Sequence, residues 1–335
     1  MADAKPYQTV GVLGAGAWGT ALSALAARLN RRVTLWAREA EVVQDIETTR
    51  RNSRFLPGIE LPAGISATQD MAALGSCDCL LAVTPAQFMR ATLTSLAPSL
   101  KKGTPIVLCT KGIERDTGRF MIEILDDVAP GMAQAVLSGP SFAADAARGL
   151  PIAVTLACAD VALGERLAVT LGSTSFRTYL SEDLIGAEIG GAVKNVLAIA
   201  CGVAEGRGYG ESARAALITR GFVEMTRFGL ALGAKAETMA GLCGLGDLIL
   251  TCSSQTSRNY ALGRALGQGK SLAEILKDKL SVAEGMETAP ALMKRARAAK
   301  VEMPICEAAA AILSGELGVN EAVHALLARP YRSEW

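Results

Sequence analysis

The chain has 335 residues, half of them apolar, and its 34 basic and 33 acidic side chains leave a formal net charge of +1. This length accommodates two domains of about 150 residues each. A near-neutral chain without a basic tract gives no support to nucleic-acid binding. The N-terminus lacks a signal-peptide pattern and no charge-free apolar run reaches about 18 residues, so we expect a cytoplasmic protein without membrane insertion.

The chain opens with a predicted strand, a glycine-rich turn and a helix. An apolar, β-branched run at Thr9–Leu13 leads into Gly14, Gly16 and Gly19, and an Ala- and Leu-rich stretch follows, up to a second apolar run at 33–36. The first glycine would permit a tight turn, the second close approach of a pyrophosphate, and the third close packing of helix on sheet. The alternative is a glycine-rich turn without a ligand. The strand–turn–helix context favours dinucleotide binding at the helix start.

The residue after the second strand predicts which dinucleotide binds. An acidic residue there accepts hydrogen bonds from the ribose 2′-OH of NAD, whereas an arginine accommodates the 2′-phosphate of NADP. The chain has Arg38, followed by Glu39. We therefore predict NADP(H) as the preferred cofactor, with NAD(H) as the alternative. The alternative interpretation is that Arg38 is only a solvent-exposed residue at the end of the strand.

Strand-like runs then recur, mostly separated by helical stretches. A turn-rich loop is predicted at 54–58. Alternation of strands and helices predicts a largely parallel, doubly wound sheet with its ligands beyond the carboxyl ends of the strands. Thr84 and Lys111 follow two such strands, and Gly139 and Ser141 follow a third, with Ser141 expected to cap the next helix. The predicted strands lie at 64–67, 79–83, 104–109, 135–137, 152–156 and 175–179.

Strand signals end near residue 182, and helical periodicity follows. We predict a dinucleotide-binding α/β domain over residues 1–185 and an all-helical substrate domain over 186–335. Apolar helices in a small second domain favour a homodimer. The helices are predicted at 184–203, 211–233, 258–268, 271–278, 288–299, 304–314 and 319–328.

Cysteine and histidine exclude some chemistries. The eight cysteines form no CxxC pair and several lie in apolar runs, which predicts small, reduced core residues and no metal site. The one histidine, His324, has ordinary neighbours in a C-terminal helix, which favours a surface or packing role.

A nicotinamide enzyme that oxidises an alcohol or reduces a carbonyl needs a side chain that moves the hydroxyl proton, and histidine is the commonest choice. Since His324 does not fit this role, lysine is the leading candidate. Lys194 has only Gly190, Gly191, Leu197 and Ala198 as helical neighbours three and four residues away, so its own face offers no counter-ion. Burial among such residues would lower its pKa towards the range useful for proton transfer. The alternative is a lysine that extends over small residues into solvent.

Two further residues could assist Lys194. Lys111 follows a strand at the expected ligand crevice and could offer positive charge to a carbonyl oxygen or a phosphate. A solvent-exposed role is equally ordinary there. Asp247 follows a glycine-rich turn, and could cap the next helix, orient Lys194 or bind a substrate hydroxyl.

A polar segment that leads into a helix predicts a phosphate site. Ser257 is the expected N-cap, with Arg258 and Asn259 in the first turn. Serine is common at this position, but an arginine in the first turn opposes the helix dipole, which indicates a compensating anion.

Many short sequence blocks follow one another along the chain in one order. The blocks are GAGAWGTALS (14–23), NSRFLPGIELP (52–62), TKGIERDTGR (110–119), LSGPSFAADAARGLP (137–151), GGAVKNVLAIACG (190–202), ALITRG (216–221), GLCGLGDLILTC (241–252), SRNYALG (257–263) and EG (284–285). Several blocks in the same order are more specific than any one motif. On these blocks, the chain resembles bacterial NAD(P)-dependent glycerol-3-phosphate dehydrogenases from about residue 8 to about residue 328.

The resemblance implies an oxidoreductase with a Rossmann-like domain that reduces dihydroxyacetone phosphate reversibly to sn-glycerol 3-phosphate for phospholipid synthesis. It implies Lys194 as the proton donor and acceptor. Implied neighbours at the reacting end are Lys111, Asn195, Asp247 and Thr251. Implied substrate contacts are Lys111, Gly139, Ser141, Lys194, Asp247, Ser257, Arg258 and Asn259. Implied cofactor contacts, besides Gly14, Gly16 and Gly19, are Ala17, Trp18, Arg38, Lys111, Ala143, Arg258, Val282 and Glu284.

The chain departs from the family's sequence pattern at two places, and two rival functions are also consistent with parts of the sequence. Ala17 stands where relatives often have a small hydroxyl residue, and Thr84-Pro85-Ala86 where many have Val-Pro-Ser.

A 3-hydroxyacid or sugar-acid dehydrogenase could share the two domains and a catalytic lysine, but the Ser257 helix start suits a phosphate better. A non-catalytic NADPH sensor would need the glycine turn but not Lys194, Lys111 and Asp247 together.

Overall fold

The structure is a computed structural model that describes residues 4–277 and 283–331. Its N-terminal part is built on an eight-stranded sheet with helices on both faces. The strands are β1 (Thr9–Leu13), β2 (Arg32–Trp36), β3 (Arg51–Asn52), β4 (Leu56–Glu60), β5 (Ile65–Thr68), β6 (Cys79–Ala82), β7 (Pro105–Leu108), β8 (Ala133–Ser138), β9 (Ile152–Ala157) and β10 (Phe176–Ser181).

Helices alternate with these strands and then take over the chain. Short 3₁₀ helices at Met71–Ser76 and Ala97–Ser99 and a π-helical turn at Leu242–Gly246 complete the regular structure. The α-helices are α1 (Ala17–Arg28), α2 (Ala40–Thr49), α3 (Ala86–Leu96), α4 (Met121–Val128), α5 (Ala143–Arg148), α6 (Val161–Leu171), α7 (Leu184–Gly206), α8 (Gly210–Ala231), α9 (Ala236–Ala240), α10 (Asp247–Ser253), α11 (Arg258–Gly267), α12 (Leu272–Leu276), α13 (Glu284–Ala298), α14 (Pro304–Ser314) and α15 (Val319–Leu327).

The sheet has the order β10-β9-β8-β7-β6-β1-β2-β5. The run from β5 to β8 is parallel throughout and has the 3-2-1-4-5-6 order of a Rossmann fold. The order reverses direction at β1 and β6, so a crevice opens beyond their carboxyl ends. The predicted doubly wound sheet followed by helices is confirmed.

Two features of the sheet differ from the prediction. Strand β9 runs antiparallel to β8, and β10 pairs parallel with β9, so the last two strands are reversed. The loop predicted at 54–58 is instead part of a hairpin, in which β3 pairs antiparallel with β4. The hairpin escaped notice because β3 has only two residues and Pro57 and Gly58 interrupt the strand pattern of β4.

The C-terminal part is helical, and its central element is α7. This helix is long and apolar enough to span a membrane, but 83% of its most apolar window is buried inside the protein. Helices α8, α10, α11, α13 and α14 pack around it, so it is the core helix of this part. Helix α13 begins at Glu284 rather than at residue 288.

Glycines let the helices approach α7 closely. A Cβ on Gly202 would lie 2.1 Å from the Tyr260 carbonyl oxygen, and one on Gly263 would lie 2.0 Å from that of Ile199. Helices α7 and α11 therefore pack backbone against backbone. All eight cysteines are buried and free, as predicted for core residues.

Candidate active site

The glycine-rich turn has the geometry expected of a pyrophosphate site. Gly14 has φ +120°, which only glycine adopts readily. A Cβ on Gly19 would lie 1.9 Å from the Gly14 carbonyl oxygen, so that position must be glycine for α1 to pack against β1. Gly16 has ordinary backbone angles, and within the part of the chain that the structure describes no atom lies within 4 Å of a Cβ placed there. The protein's own packing does not require glycine at 16, whereas a ligand close to the backbone would.

The first turn of α1 offers a further donor. The indole Nε1 of Trp18 is buried and has no hydrogen-bond partner among the described residues. Buried donors are normally satisfied, so an acceptor from outside the chain fits here. Ala17, Trp18 and Ala143 pack against the same hydrophobic cluster, which brings the start of α5 to the side of the turn.

Arg38 lies at the carboxyl end of β2, where the cofactor's ribose is expected. Its side chain is 72% exposed and its guanidinium donates to Glu39 Oε1 at 2.9 Å. Its backbone carbonyl accepts from Gln69, which in turn accepts from the Trp36 indole. The backbone at Arg38 is thus fixed while the guanidinium stays accessible to an anion.

Lys111 connects two strand ends to the helical part. Its ammonium donates to the Gly139 carbonyl at 2.8 Å and to Asp247 Oδ2 at 2.7 Å. Gly139 has φ +153° and a Cβ there would lie 2.9 Å from Val154 Cα, so β9 leaves no space for a side chain. The predicted cap role of Ser141 is wrong: Phe142 is the N-cap of α5, and the Ser141 hydroxyl donates to the Gly139 carbonyl at 3.1 Å.

Lys194 extends from α7 towards α10. Its ammonium donates to Asp247 Oδ1 at 2.5 Å and to Thr251 Oγ1 at 2.9 Å, and only 7% of the residue is exposed. Asp247 is the first residue of α10 and Gly246 is the N-cap, so the alternative role of Asp247 as the helix cap is wrong. The counter-ion missing from the Lys194 face of α7 comes from another helix.

The centre therefore holds two ammonium groups on one carboxylate. Asp247 is 1% exposed and gives one oxygen to each lysine. Burial lowers the pKa of Lys194 to about 8, and repulsion from Lys111 acts in the same direction, while Asp247 opposes both. A pKa near 8 allows Lys194 to release and regain a proton close to neutral pH.

A chain of side-chain amides joins this centre to α11 and α13. Asn195 donates to the Lys111 carbonyl at 3.2 Å, and Asn259 donates to Asn195 Oδ1 at 2.9 Å. Asn259 Oδ1 accepts from the Gly285 amide at 2.9 Å. Because Asn195 directly follows Lys194 in α7, these bonds hold the start of α11 beside Lys194.

The start of α11 has the predicted cap. Ser257 Oγ accepts from the Tyr260 amide at 3.3 Å, which makes it the N-cap, and Arg258 is exposed in the first turn. The nearby carboxylate of Glu284 accepts a hydrogen bond from the Ala86 amide at the start of α3. Burial raises the pKa of Glu284 to about 7, against the lowering effect of Arg258. Glu284 thus ties α13 to the wall formed by Thr84-Pro85-Ala86.

Two residues of interest stand apart from this cluster. Val282, an implied cofactor contact, lies outside the described residues. His324 is exposed on α15, in agreement with the predicted surface role.

Sequence reasoning missed two parts of the arrangement. It left Asp247 as a helix cap, a partner of Lys194 or a ligand of a substrate hydroxyl, and did not predict that the carboxylate also binds Lys111. It gave no role to Asn52, a 1% exposed residue whose amide donates to the Ala15 carbonyl within the glycine-rich turn. The only signal was that Asn52 opens one of the sequence blocks that carry the resemblance.

Two family models together match most of the chain. The family model for the N-terminus of NAD-dependent glycerol-3-phosphate dehydrogenase matches residues 9–163, and the model for its C-terminus matches residues 183–324.

Named relatives match the chain over nearly its full length. Glycerol-3-phosphate dehydrogenase [NAD(P)+] of Parvibaculum lavamentivorans is 58% identical over 98% of both chains. That of Caulobacter vibrioides is 57% identical over 98% of this chain and 99% of its own. The crystal structure of glycerol-3-phosphate dehydrogenase from Coxiella burnetii superposes with a TM-score of 0.93 at 37% identity, over 96% of this chain and 99% of that one. The chain belongs to the NAD(P)-dependent glycerol-3-phosphate dehydrogenase family.

Proposed function

We propose that this protein interconverts dihydroxyacetone phosphate and sn-glycerol 3-phosphate, with NADP(H) preferred over NAD(H). The observation that carries the proposal is the pair of lysines on Asp247, placed where β8 ends and α7 and α10 meet. Membership of the family supplies the substrate class, and the lysine pair supplies the chemistry.

Lys194 is the proposed proton donor. When bound, the reduced nicotinamide supplies a hydride to the central carbonyl carbon of the substrate, and the carbonyl oxygen then needs a proton. The Lys194 ammonium gives that proton, and in the reverse reaction the neutral amine takes the hydroxyl proton. Its pKa of about 8 keeps most of the group protonated at pH 7 without making the proton hard to release.

Lys111 and Asp247 set the charge around that transfer. The Lys111 ammonium stabilises the negative charge that develops on the substrate oxygen. Asp247 holds both ammonium groups, and Thr251 accepts the other Lys194 hydrogen bond, so Lys194 has one orientation. Asn195 holds the Lys111 backbone in register with α7.

The phosphate of the substrate is proposed to bind at the start of α11. Ser257, Arg258 and Asn259 lie there, and the Asn259–Asn195 bond keeps them beside Lys194. A dianion would offset the unfavourable position of Arg258 at the positive end of the helix dipole. Gly139 and Ser141 would line the opposite wall.

The cofactor is proposed to lie across the glycine-rich turn. Gly14, Gly16, Ala17, Trp18 and Gly19 would hold the pyrophosphate, and Arg38 the 2′-phosphate. Ala143 and Glu284 would complete the wall, with Lys111 and Arg258 reaching it from the substrate side. Val282 stays an implied cofactor contact outside the described residues.

We further propose a cytoplasmic homodimer that supplies sn-glycerol 3-phosphate for glycerophospholipid synthesis. The dimer is the expectation from the sequence alone, and light scattering of the purified protein tests it. A bacterial strain that depends on this gene should stop growing when the protein is depleted and resume growth with added glycerol 3-phosphate. Continued growth without it would refute the biosynthetic role.

The first experiment follows the loss of reduced-nicotinamide absorbance with the purified protein. Dihydroxyacetone phosphate is compared with unphosphorylated dihydroxyacetone, each with NADPH and with NADH. We expect turnover that requires the phosphate and is more efficient with NADPH. Turnover independent of the phosphate would favour a hydroxyacid dehydrogenase, and NADPH binding without turnover would favour a cofactor sensor.

A further inference from the structure

We propose that Asn52 is a positioning residue for the dinucleotide: its side-chain amide fixes the peptide between Ala15 and Gly16 so that the Gly16 N–H faces the pyrophosphate. The inference rests on the proposed function, because it takes the glycine-rich turn as the pyrophosphate site. Asn52 lies outside that turn, in the β3–β4 hairpin.

The side chain of Asn52 is fully engaged and buried. Its Nδ2 donates to the Ala15 carbonyl and to Thr20 Oγ1, both at 2.8 Å. Its Oδ1 accepts from the Phe55 amide at 3.1 Å. One side chain therefore joins the turn, helix α1 and the hairpin, with 1% of the residue exposed.

These bonds determine the orientation of one peptide group. In a trans peptide the carbonyl and the following N–H point in opposite directions. Because the Ala15 carbonyl points to the buried Asn52, the Gly16 N–H points the other way, towards the exposed side of the turn. Gly16 is exposed there, and a Cβ on it would meet no atom of the described residues within 4 Å. The amide thus faces the open space that a pyrophosphate would occupy.

Without Asn52 the peptide loses its main restraint. The Ala15 carbonyl would keep only the longer bond from the Thr20 hydroxyl, at 3.3 Å. The Gly16 peptide could then rotate, because glycine imposes few limits on the backbone. Cofactor binding would have to fix the peptide again, which weakens the affinity for any ligand that uses the Gly16 amide.

The test compares two ligands of the purified full-length protein, NADPH and adenosine 2′-phosphate, which has no pyrophosphate. In Asn52→Ala we expect the Kd for NADPH to rise about tenfold, since one well-aligned hydrogen bond is worth about this factor. The Kd for adenosine 2′-phosphate should stay within about twofold. The KM for dihydroxyacetone phosphate at saturating NADPH should not change, because the side-chain hydrogen bonds of Asn52 join it to Ala15, Thr20 and Phe55, away from the two lysines on Asp247.

Two more variants keep the test decisive. Ser53→Ala, which removes an exposed hydroxyl from the same hairpin, should leave both Kd values unchanged. Asn52→Ser retains an oxygen for the Phe55 amide but is too short to reach Ala15, so it replaces Asn52→Ala if that variant does not fold.

Two results would overturn the proposal for Asn52. One is an unchanged Kd for NADPH in the folded variant, and the other is an equal loss of both ligands, which indicates a purely structural role. Absence of NADPH binding by the unmodified protein would instead refute the cofactor site itself.

Discussion

The cofactor side and the reacting centre of this enzyme are built in opposite ways. The glycine-rich turn lies within one stretch of about thirty residues, in which Gly14 and Gly19 meet local demands of the backbone and Gly16 leaves room for a ligand. The reacting centre joins Asp247 to Lys194 and Lys111, which lie 53 and 136 residues away along the chain. The turn is therefore built mainly by local geometry, with Asn52 as a distant restraint, whereas the proton-transfer site forms only when distant segments meet.

The two regions also differ in how their groups interact. At the reacting centre two ammonium groups share one buried carboxylate, so a change to one alters the pKa of another. Arg38, on the cofactor side, is mostly exposed, with one partner next to it in sequence. We expect substitutions at the reacting centre to have large, coupled effects and substitutions on the cofactor side to have smaller, separate effects.

The largest expected effect is that of Lys194→Ala. Loss of the proton donor should lower kcat for dihydroxyacetone phosphate by about 10²–10⁴-fold, the usual contribution of general acid–base catalysis. The Kd for NADPH should stay within about twofold, because Lys194 lies on the substrate side. Stopped-flow single turnovers and fluorescence titration measure the two quantities.

Lys102→Ala is the matched control, since Lys102 is an exposed lysine outside the site. Near-normal turnover in Lys194→Ala would refute the assignment of the proton donor.

Arg258→Ala should have the next largest effect. A charge-assisted hydrogen bond to a phosphate is worth about 1.5–3 kcal/mol, so the kcat/KM for dihydroxyacetone phosphate should fall about 10–100-fold. The kcat/KM for unphosphorylated dihydroxyacetone should hardly change. Steady-state kinetics with the two substrates measure this selectivity, and Arg297→Ala, at an exposed site near the end of α13, is the control. Equal losses with both substrates would contradict the phosphate site.

The pH dependence tests the coupling between Asp247 and Lys194. Reduction needs the Lys194 ammonium, so its rate should fall as pH rises through about 8, and oxidation, which needs the neutral amine, should rise over the same range. Asp247→Asn removes the charge that favours the ammonium. The midpoint of both profiles should therefore move down by about 1–3 pH units.

Asp116→Asn, at an exposed aspartate, is the control for the pH profiles. A midpoint in Asp247→Asn at or above that of the unmodified protein would show that Asp247 does not set the pKa of Lys194.

The same contrast explains which features of the fold and of the site the sequence predicts. The order of strands and helices was predictable because apolar periodicity and glycine positions act over short distances. The α7 face of small residues around Lys194 was predictable too. The sequence alone does not indicate that Asp247 serves both lysines, since only tertiary packing brings α10 to α7 and to the segment that follows β7.

The hairpin and the amide chain escaped prediction for physical reasons. Strand β3 is too short for a periodic pattern, and Asn52 acts through a buried bond to Ala15, 37 residues away. The Asn195–Asn259 bond spans 64 residues. A single buried asparagine leaves no periodic pattern in the sequence. It cannot be distinguished there from an asparagine on the protein surface.

The smallest expected effect is on the cofactor side. Arg38→Asp should raise the Kd for NADPH about tenfold, since an exposed arginine contributes at the low end of the range for charge-assisted bonds, while the Kd for NADH should stay within about twofold. Arg32→Asp, at the exposed opposite end of β2, makes the same charge change and is the control. If both variants weaken NADPH equally, net charge and not a 2′-phosphate contact explains the loss. If Arg38→Asp weakens NADPH and NADH equally, Arg38 acts on the turn itself, and the cofactor side is as coupled as the reacting centre.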